Sequence, residues 1–253
     1  MKAEYKRVPA LDKCFAILDL LAKEGRQLGV SEFAKTLNIN KSTVFNMVYT
    51  LADLGVLENG GKKFGFGTRM FVLGKAAGEG SGLIKTVHPF LEQICHETNL
   101  TAFLGMRSGA EAIILDKAEA PVDLKISSDV GMRLPLLAGA GGKALLSQLS
   151  DREIENILSK NKLKKFTRYT CTDKKKYRDS IMKVREEGIA LDREEYLEGI
   201  IAVAVPLNAP QKDVQAAIWA VGLRRPVNEE EFSRFCDVMK EMAEQINVRF
   251  AMA

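Results

Sequence analysis

Several acids stand close together near residue 195, where paired carboxylates would be candidates for acid–base chemistry. They are Asp192, Glu194, Glu195 and Glu198. Two carboxylates divide the roles of acid and base only when their surroundings separate their pKa values. Here Arg193 lies among the acids, and the whole segment is polar. We therefore interpret this cluster as a solvated turn and not as a catalytic pair.

The cysteines and histidines give no second candidate for catalysis. Cys14, Cys95, Cys171 and Cys236 are far apart without a CxxC pair, and the chain has only two histidines. This spacing, with so few histidines, lacks the ligand pattern of a zinc site, and four scattered cysteines in a chain of 253 residues do not indicate a disulfide framework. One histidine precedes a proline and the other falls on an amphipathic segment, which is typical of structural positions. We therefore predict no catalytic residues, no metal site and no cofactor.

A glycine-rich run at residues 138–144, AGAGGKA, raises the possibility of a nucleotide-binding loop. A P-loop would need glycine at position 137 and serine or threonine at 144, where this chain has leucine and alanine. A dinucleotide fingerprint is formally met, but lysines stand where its acid is expected, about 20 residues on. Small residues at a strand-to-helix junction let a backbone approach another group closely. The free N–H groups of such a helix start can hold a carboxylate.

The composition is that of a folded globular protein, with 46% hydrophobic and 28% charged residues. The net charge of +4 permits a polyanionic partner without establishing one. We interpret the basic run at residues 160–178 as a solvated helix–loop–helix surface, because its aromatic residues are too sparse for a nucleic-acid groove. No apolar run approaches the ~20 residues of a membrane span, and the N-terminus lacks a signal peptide. We expect a cytoplasmic protein that does not contact membranes.

The elements over residues 1–67 follow the order of a winged helix-turn-helix. A helix from Pro9 to about Lys23 precedes a second helix over residues 32–37, for which Ser31 is the predicted N-cap. The turn at residues 38–40 leads into a third helix, which Gly55 ends. Helical spacing predicts the inward face of this third helix, formed by Val44, Met47, Val48, Leu51 and Leu54.

The outer face of the third helix and the hairpin that follows it carry the candidate DNA contacts. Asn59-Gly60-Gly61 predicts the tight turn of a hairpin, which would be the wing. Residues 59–75 contain four cations and no acid. The predicted DNA-binding residues are Lys41, Ser42, Thr43, Asn46, Tyr49, Lys62 and Lys63. We favour this interpretation over small helices and a hairpin packed for stability alone.

A linker helix is predicted over residues 68–82 and a second domain over residues 83–253. We expect helices in that domain over 88–98, from 143 onward, and over 151–159, 174–187 and 229–250. We expect strands over 101–107, 111–117, 123–128, 189–191, 200–207 and 216–223. These elements indicate an α+β protein whose second domain is a mixed α/β sheet structure.

The chain resembles the IclR family of bacterial transcriptional regulators over essentially its whole length. Matches in the first domain are residues 16–18, 41–43, 51–55 and 66–67. Matches in the second are residues 131–136 (GMRLPL), 142–146 (GKALL), 184–185 and 202–206, with Gly188, Asp192, Glu195 and Gly199. This set is long, ordered and spread over both domains.

The resemblance implies an N-terminal winged helix-turn-helix, a linker helix and a C-terminal GAF-like effector-binding domain. It also implies a dimer or a dimer of dimers that binds a palindromic double-stranded operator and responds to a small organic metabolite. Symmetric dimers suit palindromes, because two recognition helices then meet major grooves about one turn apart. On this basis Lys41 and Lys63 contact phosphate, and Ser42, Thr43 and Asn46 reach base edges or nearby phosphates.

One position of the third helix departs from the family pattern. The family commonly has arginine where this chain has Asn46. Asparagine pairs bidentately with adenine, whereas arginine pairs bidentately with guanine. We therefore expect the operator to differ at that base.

The expected effector pocket departs from the family pattern as well. The positions that correspond to it are Ala138, Gly139, Ala140, Gly141, Asp192, Ala202, Trp219 and Val221. The last three stand where the family has one cysteine and two serines. Fewer polar groups and one large ring imply a smaller or more apolar pocket. We expect a small or partly aromatic acid, with Trp219 packing on it and the amides of residues 139–142 holding its carboxylate.

Two alternatives stay open at this point. In the first, Trp219 fills the pocket and effector control is lost. In the second, the chain is a metabolite-binding protein or an enzyme whose N-terminal domain is only an interaction module. The salt dependence of DNA binding distinguishes the second alternative, because counterion release predicts a steep loss of affinity as salt rises.

Overall fold

The computed structural model describes residues 6–79, 82–120, 122–123, 125–209, 214–224 and 227–252. The chain divides into two compact units, Met1–Gly80 and Ser81–Ala253. Within the described residues, no helix is both long enough and apolar enough to span a lipid bilayer.

The first unit packs helices on a small antiparallel sheet. Its elements are α1 Pro9–Glu24, β1 Leu28–Gly29, α2 Val30–Leu37, α3 Lys41–Asp53, β2 Leu57–Asn59, β3 Lys63–Phe66 and α4 Thr68–Glu79. The strand order is β1-β3-β2. Phe33 of α2, Val44 of α3 and Phe64 of β3 are buried together in one apolar core. Because this core takes the apolar side of α3, the polar side of that helix faces solvent.

The start of α2 and the end of α3 differ from the expectations. Helix α2 begins at Val30, and the backbone N–H of Gly29 donates to the Glu32 carboxylate at 2.9 Å. The N-cap is therefore Gly29 and not Ser31. Leu54, expected on the inward face, is 50% exposed because α3 ends before it. Strand β1 has only two residues, too few for a sequence period to reveal.

The second unit is a six-stranded antiparallel sheet with helices on both faces. Its elements are α5 Gly82–Thr98, β4 Thr101–Ser108, β5 Glu111–Ala118, β6 Arg133–Pro135, α6 Gly139–Leu146, α7 Asp151–Lys160, α8 Lys174–Glu187, β7 Ala190–Arg193, β8 Ile200–Leu207, β9 Ala216–Leu223 and α9 Glu229–Met252. The strand order is β6-β5-β4-β9-β8-β7. One apolar core lies under α5 and α9, and a second lies under α6, α7 and α8.

Three expectations for the second unit were wrong in detail. Helix α5 begins at Gly82, ahead of the expected start at residue 88, and Pro89 lies inside it, where proline is uncommon. Residues 122–123 and 125–128 form no strand, and residue 124 lies outside the described residues. Helix α6 begins at Gly139 and not at Lys143. The bounds of β8 and β9 match those expected.

Strand alternation decides which residues of β8 and β9 face α6. Side chains along a strand point to opposite faces in turn. Ile201 and Ile218 therefore belong to the core under α5 and α9, whereas Ala202 and Trp219 belong to the core on the α6 side. The sheet and the start of α6 together enclose a cavity.

Candidate functional site

The exposed face of α3 carries predicted DNA-contacting residues. Lys41, Ser42 and Asn46 are exposed, and Thr43 is half-buried. Within the described part of the chain, the side chains of the three exposed residues have no hydrogen-bond or ion-pair partner. Unpaired ammonium, hydroxyl and amide groups can form hydrogen bonds to phosphates and base edges.

A row of aromatic rings connects α3 to the wing strand β3. The ring of Tyr49 meets the ring of Phe64 edge-on, with centroids 5.2 Å apart. The ring of Phe45 lies 4.3 Å from that of Tyr49. Tyr49 therefore holds the helix against the wing and keeps part of its ring exposed. Phe45 is 49% exposed beside Asn46, and sequence reasoning missed it, although a large apolar side chain on a polar helix face was a signal.

The wing turn places two cations at the surface. The backbone N–H of Gly60 donates to the Lys63 carbonyl at 2.9 Å, and that of Gly61 donates to Asn59 Oδ1 at 3.0 Å. Gly61 has a φ of +96°, which favours glycine. Lys62 and Lys63 are exposed, and neither forms an ion pair within the described residues. The wing therefore presents positive charge on the same unit as α3.

The second unit contains a cavity of about 100 Å³ between the sheet and the start of α6. The eight residues predicted to surround a ligand all line it: Ala138, Gly139, Ala140, Gly141, Asp192, Ala202, Trp219 and Val221. Strand register explains part of this convergence. Asp192 of β7 pairs with Ala202 of β8, and Ala202 pairs with Val221 of β9. Neighbouring strands thus bring three distant residues to one wall.

The indole ring of Trp219 forms a flat wall of the cavity. A Cβ atom at Gly141 would lie 3.2 Å from the ring atoms of Trp219, and a Cβ atom at Gly105 would overlap Trp219 Cη2. Glycine at both positions therefore makes room for the ring. The ring of Phe103 stacks on that of Trp219 with centroids 6.1 Å apart. Trp219 is 4% exposed, yet the cavity remains open beside it.

The N-terminus of α6 borders the cavity without a side-chain cap. Ala138 is the N-cap residue, and no side chain bonds to the first amides of the helix. A Cβ atom at Gly142 would overlap the Leu136 carbonyl oxygen, so a glycine there lets α6 start close against the preceding segment. Uncapped amides at a helix start attract negative charge.

Asp192 places a buried carboxyl at the same wall. It is 6% exposed, and its Oδ1 atom accepts a hydrogen bond of 2.6 Å from the backbone N–H of Glu195. Burial raises the pKa of Asp192 from 3.8 to about 6, since the charged form loses its water. This carboxyl can therefore gain or lose a proton close to neutral pH.

The acidic cluster is only in part the solvated turn that the sequence indicated, because Glu198 is exposed whereas Asp192 is buried. Lys143 of α6 is buried, and its ammonium donates to both Glu195 carboxylate oxygens, at 2.6 and 2.7 Å, and to the Leu191 carbonyl. Glu194 accepts from the backbone N–H of Gly199 at 2.8 Å. The error arose because a lysine 52 residues away completes the cluster.

Sequence reasoning missed several further residues of the cavity wall. Phe103, Ile114, Ile126, Ser128, Tyr196 and Leu197 line it in addition to the predicted set. Most are apolar residues, and from sequence alone an apolar residue of a cavity wall cannot be distinguished from one of the core. Among the residues that the structure describes, no three His, Cys, Asp or Glu side chains are grouped to hold a metal ion.

A winged helix-turn-helix with unpaired polar groups on its third helix, joined to a separate unit with a buried cavity, defines a DNA-binding transcriptional regulator. The chain belongs to the IclR family. The family described as bacterial transcriptional regulator IclR C-terminal matches residues 76–248, and the IclR helix-turn-helix domain matches residues 10–61. The predicted family and the α+β fold, with its winged helix-turn-helix and GAF-like domain, are thereby confirmed.

Characterised relatives cover nearly the whole chain. The HTH-type transcriptional regulator BhcR of Paracoccus denitrificans is 30% identical over 248 residues, which are 97% of this chain and 88% of BhcR. The HTH-type transcriptional regulator XynR of Escherichia coli is 26% identical over 238 residues, covering 92% of this chain and 94% of XynR. Both relatives are HTH-type transcriptional regulators.

Solved structures share the fold. A crystal structure of an IclR transcriptional regulator from Alicyclobacillus acidocaldarius has a TM-score of 0.86 at 26% identity, covering 96% of this chain and 99% of that one. An IclR homologue from Microbacterium hydrocarbonoxydans, complexed with 4-hydroxybenzoate, has a TM-score of 0.84 at 20% identity, covering 96% of this chain and 100% of that one.

Proposed function

We propose that a small organic acid or related metabolite, bound in the cavity of the second unit, controls the binding of an operator by the first unit. The cavity carries this proposal. It combines a flat aromatic wall, apolar side chains, one buried carboxyl and the uncapped amides of α6. Small-molecule sites have this composition, with a mostly apolar lining and a few polar groups that fix orientation.

The roles of the DNA-contacting residues follow from their chemistry. Lys41, Lys62 and Lys63 neutralise phosphates, and Ser42 and Thr43 bond to base edges or nearby phosphates. Asn46 reads a base, with adenine as its preferred partner. Tyr49 positions the wing and offers its exposed ring edge to the DNA. The absence of competing partners for the three exposed α3 side chains, within the described residues, supports these assignments.

The ligand's place in the cavity follows from the polarity of the walls. Its carboxylate meets the amides of residues 139–142, and its apolar part packs on the Trp219 ring. A volume of about 100 Å³ favours a ligand smaller than a typical drug molecule. Because the Microbacterium homologue was crystallised with 4-hydroxybenzoate, that aromatic acid is the first ligand to test.

The protein acts as a homo-oligomer, a dimer or a dimer of dimers, on a palindromic operator. The first unit supports this assembly, because its helices expose large apolar side chains: Leu11 and Phe15 on α1, and Phe71, Val72 and Leu73 on α4. Leu11 and Phe15 lie one helical turn apart on α1, and exposed apolar patches mark protein–protein contact. We further propose that the protein acts in the cytoplasm and catalyses no reaction.

Trp219 is the only tryptophan of the chain, so its fluorescence reports on the cavity. Operator fragments selected from genomic DNA are titrated with the protein in the presence of 4-hydroxybenzoate and a panel of smaller acids. An acid that changes operator affinity is expected to change Trp219 emission as well. An acid that changes operator affinity and leaves the emission untouched would show that the effector binds elsewhere. If no acid in the panel changes either quantity, effector control by small acids is wrong.

A further inference from the structure

Helices α7 and α8 are joined by residues 161–173, and ion pairs between their side chains also connect them. Arg185, near the end of α8, pairs with Asp151 at the start of α7 at 2.7 Å. Arg178, near the start of α8, pairs with Glu155 farther along α7 at 2.6 Å. Arg178 also lies 3.7 Å from Asp151. The last residue of α7, the connection and the first turn of α8 form one continuous segment, residues 160–178.

Positive charge accumulates in this segment. Residues 160–178 contain nine lysines and arginines and one acid, Asp173, whereas the whole chain has a net charge of only +4. The rest of the molecule is therefore net negative. We call seven exposed lysines the cationic end: Lys160, Lys162, Lys164, Lys165, Lys174, Lys175 and Lys176.

These lysines are not neutralised by the protein itself. Within the described ranges, none of the seven forms an ion pair, whereas the two arginines of the same segment do: Arg168 with Glu198, and Arg178 with Glu155. The carboxylate of Asp173 is occupied as the N-cap of α8, where it accepts from the Lys176 backbone N–H at 2.8 Å. Lysines at a helix N-terminus also oppose the helix dipole. The cationic end thus gains stability from an anionic partner.

The surroundings of the cationic end indicate which kind of partner binds there. Of the large apolar side chains that are exposed in the described part of the chain, Tyr169 alone falls within residues 160–178. Protein interfaces have an apolar centre and are depleted in lysine. Membrane-surface helices need a broad apolar face beside their cations. Sparse aromatic residues argue against a groove for single-stranded nucleic acid, where bases stack on rings. The phosphate backbone of a duplex needs only positive charge within reach.

We propose that the cationic end contacts the phosphate backbone of duplex DNA, independently of sequence and in addition to the contacts of α3 and the wing. The second unit would then contribute to the affinity for DNA and to its salt dependence, but not to the choice of operator. The winged helix-turn-helix would read the sequence, because lysine contacts to phosphate carry no base information. The proposal concerns a surface separate from the cavity.

The test compares two triple variants with the same change in net charge. One is Lys174→Gln, Lys175→Gln and Lys176→Gln. The matched control is Lys85→Gln, Lys183→Gln and Lys240→Gln, which removes three exposed lysines elsewhere on the second unit. Binding of each full-length protein to a mixed-sequence duplex is followed by fluorescence anisotropy over a range of salt concentrations.

The cationic-end variant is expected to lower the slope of log affinity against log salt by about 2 to 3, since each lost phosphate contact removes about 0.9. Its affinity at low salt should fall at least about tenfold, and a Lys→Arg triple at the same positions should retain binding. Equal slopes for the cationic-end variant and the control would overturn the proposal. Unchanged Trp219 emission verifies that each variant is folded.

A further variant, Lys41→Gln with Lys63→Gln, separates this proposal from the proposed function. If that variant loses DNA binding and the cationic-end variant does not, the DNA contact by the cationic end is wrong while the role of the winged helix-turn-helix stands. If the wild-type protein binds no duplex at all, both are wrong. If both variants weaken binding and the control does not, the two surfaces act together.

Discussion

Asp192 Oδ1 accepts a hydrogen bond of 2.6 Å from the backbone N–H of Glu195, which ties the buried carboxyl of the cavity to the turn that closes one side of it. Glu195 in turn holds the ammonium of Lys143 on α6. The wall made by α6 and the wall made by the turn are therefore joined through one short polar chain. A ligand that alters the charge of Asp192 acts on both walls at once.

Replacing Asp192 by asparagine should make the second unit more stable above pH 6. The folded-state pKa of about 6 exceeds the ordinary value of 3.8, so the folded state binds the proton more tightly than the unfolded state. The stability that the folded state gains from this tighter proton binding is complete below the unfolded-state pKa of 3.8. It is lost as the pH rises through about 6. The asparagine side chain does not titrate, and its amide oxygen can still accept from the backbone N–H of Glu195. The gain in free energy of unfolding should reach about 3 kcal/mol at pH 8, because a pKa raised from 3.8 to about 6 corresponds to that energy.

Urea unfolding followed by Trp219 emission measures this effect in the second unit alone, because no other tryptophan is present. The difference in stability between Asp192→Asn and the wild type should be small at pH 4 and should grow up to pH 7. A difference that does not change with pH would show that Asp192 titrates normally in the folded state.

Binding of a carboxylate in the cavity should be accompanied by uptake of a proton. Asp192 is the only carboxyl among the described residues that line the cavity, and Lys143 is engaged by Glu195. A ligand carboxylate would therefore face a second carboxylate without a cation between them. Two carboxyl groups that share a small site keep one proton between them. The affinity for an acid should then fall about tenfold per pH unit above neutrality.

Titration calorimetry with 4-hydroxybenzoate in two buffers of different ionisation enthalpy counts the proton directly. Asp192→Asn should bind the acid with an affinity that is flat between pH 6 and 8, and 4-hydroxybenzamide should bind the wild type without pH dependence. Tighter binding of the acid at high pH would contradict the shared proton.

Removing the indole ring should enlarge the cavity at a large cost in stability. Trp219 is almost fully buried and stacks with Phe103. Trp219→Ala is expected to lower the free energy of unfolding by about 3–5 kcal/mol. Val221→Ala, at the same wall but half-buried, should cost about 1 kcal/mol. Circular dichroism during urea unfolding measures both variants, and equal losses would show that Trp219 contributes little to packing.

Local patterns were enough to predict the elements that surround the cavity, and long-range packing was needed for the rest. The apolar runs of β8 and β9 had clear bounds, and alternation assigns each residue a face within its own strand. The pairing of Ala202 with Val221 then puts Ala202 and Trp219 on the same side of the sheet. The burial of Asp192 depends on α6 packing across β7, which no local pattern contains.

Asn46 should determine one base of the operator. It is exposed on α3, and its side chain has no partner within the described residues. Asparagine bonds bidentately to adenine, and arginine bonds bidentately to guanine, with about 1–3 kcal/mol of discrimination for a good pair. Asn46→Arg should therefore change the preferred base from adenine to guanine at one symmetric position. Selection of binding sites from a random library, for wild type and variant in parallel, measures the change. Lys63→Gln serves as the control, because loss of a phosphate contact should weaken binding without altering the preferred sequence. If Asn46→Arg selects the same sequence as the wild type, Asn46 does not contact a base.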